Sequence, residues 1–167
     1  MKFLLPIFIL TTLFGQGYGV ITISDFASIK INQSISLDEL LNIDENWSEL
    51  KNKLGQPSTE KCEDQFVEQV CNFTYAGATV KYTDLLGDFY LSKASFTKSS
   101  FVFRIKGVDV KVGDSISKLS NIFPNEYQKG LSSNRLLFHV ADMDISLSFN
   151  FNPSTNKISE ILIFQAL

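Results

Sequence analysis

A chain of 167 residues with formal net charge −3, 44% hydrophobic and 20% charged, fits one ordinary domain or two small repeats sharing a core. The acidic balance, with lysines and arginines scattered along the chain, argues against nucleic acid or an anionic membrane surface as partner, because both need clustered cations. The 15 phenylalanines fall mostly in alternating segments and are assigned to the core.

Residues 1–19 read as a secretory signal peptide: Lys2, then an apolar run from Phe3 to Phe14, then Gly15, Gly17 and Gly19. The run is about 12 residues where a spanning helix needs roughly 20. Gly15-Gln16-Gly17 and Gly17-Tyr18-Gly19 both place small residues where a signal peptidase reads, so the mature chain is expected to begin at Tyr18 or Val20. No Cys follows to carry a lipid, and no integral membrane segment is expected in the mature chain, which should be secreted or periplasmic.

From Val20 to Ile31 the sequence reads as an extended segment ending in a strand. Ser36-Leu37-Asp38-Glu39 has the spacing of a capping box and opens a short helix over Leu37 to Leu41. A second helix starts near Asn46 or Trp47 and is stopped by Gly55-Gln56-Pro57. Ser58 to Gln69, acidic and polar, reads as a solvated loop. Strands follow over Asn72 to Tyr75, Thr79 to Tyr82, Phe89 to Phe96 and Phe101 to Ile105, with turns at Ala76-Gly77 and Leu86-Gly87-Asp88. After a strand at Val108 to Val112, a helix capped by Asp114 or Ser115 is expected to run through Phe123 until Pro124 ends it. Leu136 to Val140 and Asp144 to Phe151 form a hairpin, and Ile158 to Phe164 is the closing strand.

Cys62 and Cys71 are the only cysteines, and in an exported chain they should form a disulfide. Closing so short a loop contributes roughly 2–3 kcal/mol in the chain-entropy model. The C-x8-C spacing lacks the close pair of a thiol oxidoreductase, and two thiols with one histidine fall short of a zinc tetrahedron.

The octet Ile29-Lys30-Ile31-Asn32-Gln33-Ser34-Ile35-Ser36 returns loosely as Val110-Lys111-Val112-Gly113-Asp114-Ser115-Ile116-Ser117. Phe73, Ala76, Val80 and Tyr82 then correspond to Phe138, Ala141, Ile145 and Leu147, and Leu91 to Ala94 corresponds to Ile158 to Ile161. The expected fold class is therefore α+β: an antiparallel sheet with short helices on one face, built from two diverged helix-strand-strand-strand units. The first unit is residues 20–107 with the disulfide loop, and the second is residues 108–167.

An amphipathic helix ending near Gly-x-Pro or Phe-Pro, a hairpin, then a strand of the type Lys157-Ile158-Ser159-Glu160-Ile161 is similar to the small SmpA/OmlA (BamE-type) envelope lipoproteins. Doubled and disulfide-bearing, the pattern looks like the β-lactamase inhibitory protein. The resemblance implies a helix-backed antiparallel sheet and protein-binding activity. It carries over no functional residue, since the lipid-bearing Cys is missing and no copy of the inhibitor's binding loops is found.

No catalytic constellation stands out. His139 lies near Asp142 and Asp144 but has no nucleophile beside it, and Asp142-Met143-Asp144 lacks the acids and Gly of a calcium loop. No metal or cofactor is expected. Candidates for partner contact are Trp47, Phe89, Tyr90 and Tyr127, because aromatic side chains dominate interface hot spots, together with the acidic residues Glu60, Glu63 and Asp64 of the disulfide loop. The expected function is that of an exported, non-catalytic protein-binding module, possible forms being an inhibitor or immunity-type protein. Its partner would be another extracytoplasmic protein. An envelope-assembly accessory and an enzyme with a dispersed site are the alternatives.

Overall fold

Four strands of the first part of the chain and three of the second fold back on themselves through short turns, and the two meanders join edge to edge. The computed structural model describes residues 18–65 and 68–166, so all of the expected signal peptide except Tyr18 and Gly19 lies outside the described residues. The first meander is β4 (Thr59–Gln65), β5 (Glu68–Tyr75), β6 (Ala78–Leu85) and β7 (Asp88–Phe96); the second is β10 (Arg135–Val140), β11 (Ile145–Asn152) and β12 (Lys157–Gln165). With β1 (Tyr18–Ile21) they form an eight-stranded sheet in the order β1-β10-β11-β12-β7-β6-β5-β4. All neighbours are antiparallel except β1, which lies parallel to β10. The sheet is therefore mixed, where the sequence alone suggests an antiparallel one.

Alternation decides the inner face. Phe73, Val80, Ala94, Ile163, Leu147 and Phe138 sit in register across six strands and are at most 2% exposed. Against this face pack α2 (Leu37–Leu41), α3 (Trp47–Leu54), α4 (Pro124–Leu131), a 3-10 turn (Ile116–Leu119) and a second sheet. That sheet has four short strands in the order β3-β2-β8-β9, namely β2 (Lys30–Ile31), β3 (Ile35–Ser36), β8 (Phe103–Ile105) and β9 (Val108–Val110). Phe96 of the large sheet meets Phe103 and Phe101 edge-on at 5.0 and 5.1 Å, joining the two layers. Residues from both sides of residue 107 belong to one continuous core.

The Ser36 spacing yields a complete capping box: Glu39 N–H donates to Ser36 Oγ, and Ser36 N–H donates to Glu39 Oε2 at 2.7 Å. Asn46 caps α3 through Glu49 N–H. Four expectations need correction. The stretch before β2 contains a helix, α1 (Ile23–Ala27), started by Thr22, whose Oγ1 accepts from Asp25 N–H. Pro124 opens α4 instead of ending a helix, because a proline at the first helical position sacrifices only an N–H that has no intrahelical partner. The helix expected before it is only the 3-10 turn, capped by Ser115, so the Ser36 cap and its aligned counterpart Ser117 do not play the same part. The acidic stretch after Ser58 is not a loop. It is β4 and the start of β5, and it escapes periodicity because every residue of β4 is exposed and no side is apolar.

Two buried tyrosines of this core face opposite circumstances. The Tyr82 hydroxyl donates to Leu40 O at 2.7 Å, satisfying a carbonyl of α2, and burial pushes its pKa well above the ordinary value. The Tyr75 hydroxyl is buried without a hydrogen-bond partner among the described residues, and burial, with the Glu60 charge adding to it, pushes its pKa up to about 12. Tyr82→Phe is expected to cost about 1 kcal/mol of unfolding free energy, whereas Tyr75→Phe should leave stability unchanged or raise it by up to about 1 kcal/mol. Equal losses for both in urea denaturation would contradict these assignments.

Glu39 also links α2 to α3. Its carboxylate lies 2.6 Å from Lys53 Nζ, and that contact, followed by the Ser36 N–H, holds its pKa down to about 2 from 4.5. Because the folded value is the lower one, the stabilisation is complete above about 4.5 and is lost as the pH falls toward 2. The stability gap between wild type and Glu39→Gln should shrink across that window. A gap that stays constant from pH 5 to pH 2 would show that Glu39 is not so held.

Candidate functional site

Because side chains alternate across each strand, the residues between the core positions form straight rows on the other face of the large sheet. One row runs Val20, His139, Ser146, Phe164, Lys93, Lys81, Asn72 and Lys61, one residue from each of the eight strands. The adjacent row carries Tyr18, Leu137, Ser148, Leu162, Ser95, Thr79, Thr74 and Thr59. The helices and the small sheet lie on the opposite face, so these rows form an open surface.

Its two ends differ in chemistry. Toward β1 it is apolar and aromatic: Val20 and Phe164 are 65% and 48% exposed, Leu137 and Leu162 are partly exposed, and the Tyr18 and His139 rings meet edge-on at 4.6 Å. Toward β4 it is cationic. Lys81 and Lys93 stand directly opposite each other across β6 and β7, with Lys61 two strands beyond. Lys61 pairs with Glu63, but Lys81 and Lys93 belong to none of the ion pairs among the described residues. Like charges in opposed positions destabilise a sheet, so the fold gains nothing from this pair. Where the two ends meet, Ser95 Oγ donates to Glu160 Oε1 at 2.6 Å and Asn150 Nδ2 donates to Glu160 Oε2 at 2.8 Å. Those bonds fix the carboxylate between the ends.

Four other acidic side chains collect elsewhere. Glu45, Asp64, Glu68 and Asp84 line a cleft of about 370 Å³ at the tip of the β4–β5 hairpin, with Phe89 at its wall. Among the described residues no three of His, Cys, Asp and Glu converge in a geometry that could hold a metal ion. The hairpin is pinned by the disulfide, since Cys62 and Cys71 are cross-strand partners with Cα atoms 4.0 Å apart.

The structure separates the residues singled out in the sequence. Trp47 packs on Phe73, Tyr82 and Phe89 with ring centroids 4.9 to 5.3 Å apart, and Phe89 is only 6% exposed, so both serve the core under α3. Tyr127 is partly buried against the core from α4. Tyr90 is 38% exposed on β7. Glu60 lies on the inner side of β4 and pairs with Lys51 of α3 at 2.6 Å, Glu63 points to the open face, and Asp64 accepts from Gln69 Nε2. These residues do not form one patch. The open-face row was missed because its members come from eight separate strands, and only register brings them together.

No protein-family model matches the chain, and neither does any curated protein sequence. Among solved structures, it is similar to an extracellular protein containing a SCP domain from Bacillus anthracis str. Ames, with 11% identity and a TM-score of 0.47, over 79% of this chain and 46% of that one. It is also similar to a cysteine-rich secretory protein from Staphylococcus aureus subsp. aureus Mu50, with 10% identity and a TM-score of 0.42, over 89% of this chain and 51% of that one. The chain spans about half the length of the solved proteins it matches.

The resemblance to the SmpA/OmlA lipoproteins and the β-lactamase inhibitory protein is corrected: the solved structures this chain is similar to are an extracellular protein containing a SCP domain and a cysteine-rich secretory protein. The physical reason is visible at Phe123-Pro124. The motif that suggested a helix ending at Phe-Pro is a helix beginning there.

Proposed function

We propose that the protein is an exported, non-catalytic binding module that engages an acidic extracytoplasmic protein through the open face of its large sheet. The observation that carries this reading is the opposed, unpaired Lys81 and Lys93 beside exposed Phe164, on a chain whose net charge is −3. A carboxylate-bearing partner would relieve the lysine repulsion, while Phe164, Val20 and Leu162 supply apolar area for contact. Export is supported by the apolar N-terminal run and by the disulfide, a bond that persists in oxidising compartments.

An inhibitor or immunity-type role is the narrower form of the same proposal, because blocking a toxin or hydrolase needs a preorganised surface and no chemistry. Descent from a doubled unit belongs to this proposal too. It is supported by the placement of β5–β7 and β10–β12 on either side of the β7–β12 junction, each group preceded by short helical segments.

The test is capture from envelope and secreted fractions with two baits, the wild-type mature chain and its Lys81→Glu/Lys93→Glu variant. The wild-type bait should retain a stoichiometric acidic protein that elutes with rising salt, and the charge-reversed bait should lose at least tenfold of it. Equal retention by both baits, or no specific partner on either, would refute the assignment of this face.

A further inference from the structure

We infer that export cuts the chain between Gly17 and Tyr18, so that the mature protein begins at Tyr18 and not at Val20; this rests on the exported-module reading above. The step is hydrolysis of one peptide bond: water adds across it, leaving a carboxylate on Gly17 and an α-amino group on Tyr18. By sequence alone the bonds after Gly17 and after Gly19 are equivalent, since each has glycine one and three residues before it. The fold separates them.

Tyr18–Ile21 is built into the large sheet as β1, pairing with Leu137, Phe138, His139 and Val140 in parallel register. The strand is only four residues long, so cutting after Gly19 would remove half of its pairs. It would also remove the Tyr18 ring from His139 at one end of the open face. Cutting after Gly17 leaves the strand whole.

Gly19 has its own reason to be glycine. It faces α4, and a Cβ built there would overlap the Cγ of Glu126. Any side chain at that position of the edge strand would have to push the Glu126 side chain aside. The smallness of Gly19 is thus accounted for by packing and need not be read by a peptidase. Gly15 and Gly17 are left as the pair that marks the bond before Tyr18.

The experiment expresses the full precursor through a general secretory pathway and reads the N-terminus of exported, denatured material by intact mass and terminal sequencing. Reading denatured chains makes the result independent of whether a variant folds. The wild type should begin at Tyr18; Gly17→Leu should abolish scission before Tyr18, and Gly19→Leu should leave that scission unmoved. A wild-type chain beginning at Val20, or a block of processing by Gly19→Leu, would overturn the inference while leaving export intact. A precursor that stays unprocessed inside the cell would overturn both.

Discussion

The pairing of β7 with β12 is the contact on which the rest of the molecule depends. Four registered pairs, Lys93 with Phe164, Ala94 with Ile163, Ser95 with Leu162 and Phe96 with Ile161, turn two meanders into one sheet. Without it each meander would present an unpaired edge, and exposed edges invite aggregation. The inner side of the seam is fully dry, since Ala94, Phe96, Ile161 and Ile163 are at most 1% exposed. The small Ala94 and the large Phe96 alternate there, and Phe96 reaches across to Phe103 of the small sheet. In that small sheet β8 pairs with β2 on one side and, across residue 107, with β9 on the other.

The same seam creates the open surface. On its outer side Phe164 meets Lys93, so the apolar end contributed by the second meander abuts the cationic end contributed by the first. Ser95 and Glu160 bond across it, and Asn150 holds the other carboxylate oxygen from β11. A carboxylate anchored by two donors is preorganised, as binding surfaces tend to be. The seam therefore unites core and surface: its inner residues stabilise the sheet while its outer residues set the arrangement offered to a partner.

Local chemistry was legible in the sequence wherever it acts over a few residues. The Ser36–Glu39 box, the Gly55 stop, the alternating strands from Phe89 onward and the Cys62–Cys71 bridge all rest on neighbours in the chain. What escaped depends on partners far away. β1 is held by β10 from more than a hundred residues later, and β4 owes its extended form to β5 and the disulfide, with no apolar alternation to announce it. Pro124 is ambiguous by nature, since proline both closes and opens helices and only the following turn decides. The candidate site was illegible for a related reason. Lysines that look scattered along the chain become a row once register is known, while Trp47 and Phe89, conspicuous in sequence, are used up by the core.

Native-state hydrogen exchange tests the central claim, that β7 and β12 join both meanders into one cooperative sheet, most directly. Amides in the interior of β6, β7, β11 and β12 should exchange only through global unfolding, with one common free energy and one denaturant dependence. If β5–β7 and β10–β12 instead opened as two units with distinct free energies, the seam would not be the element that holds this fold together.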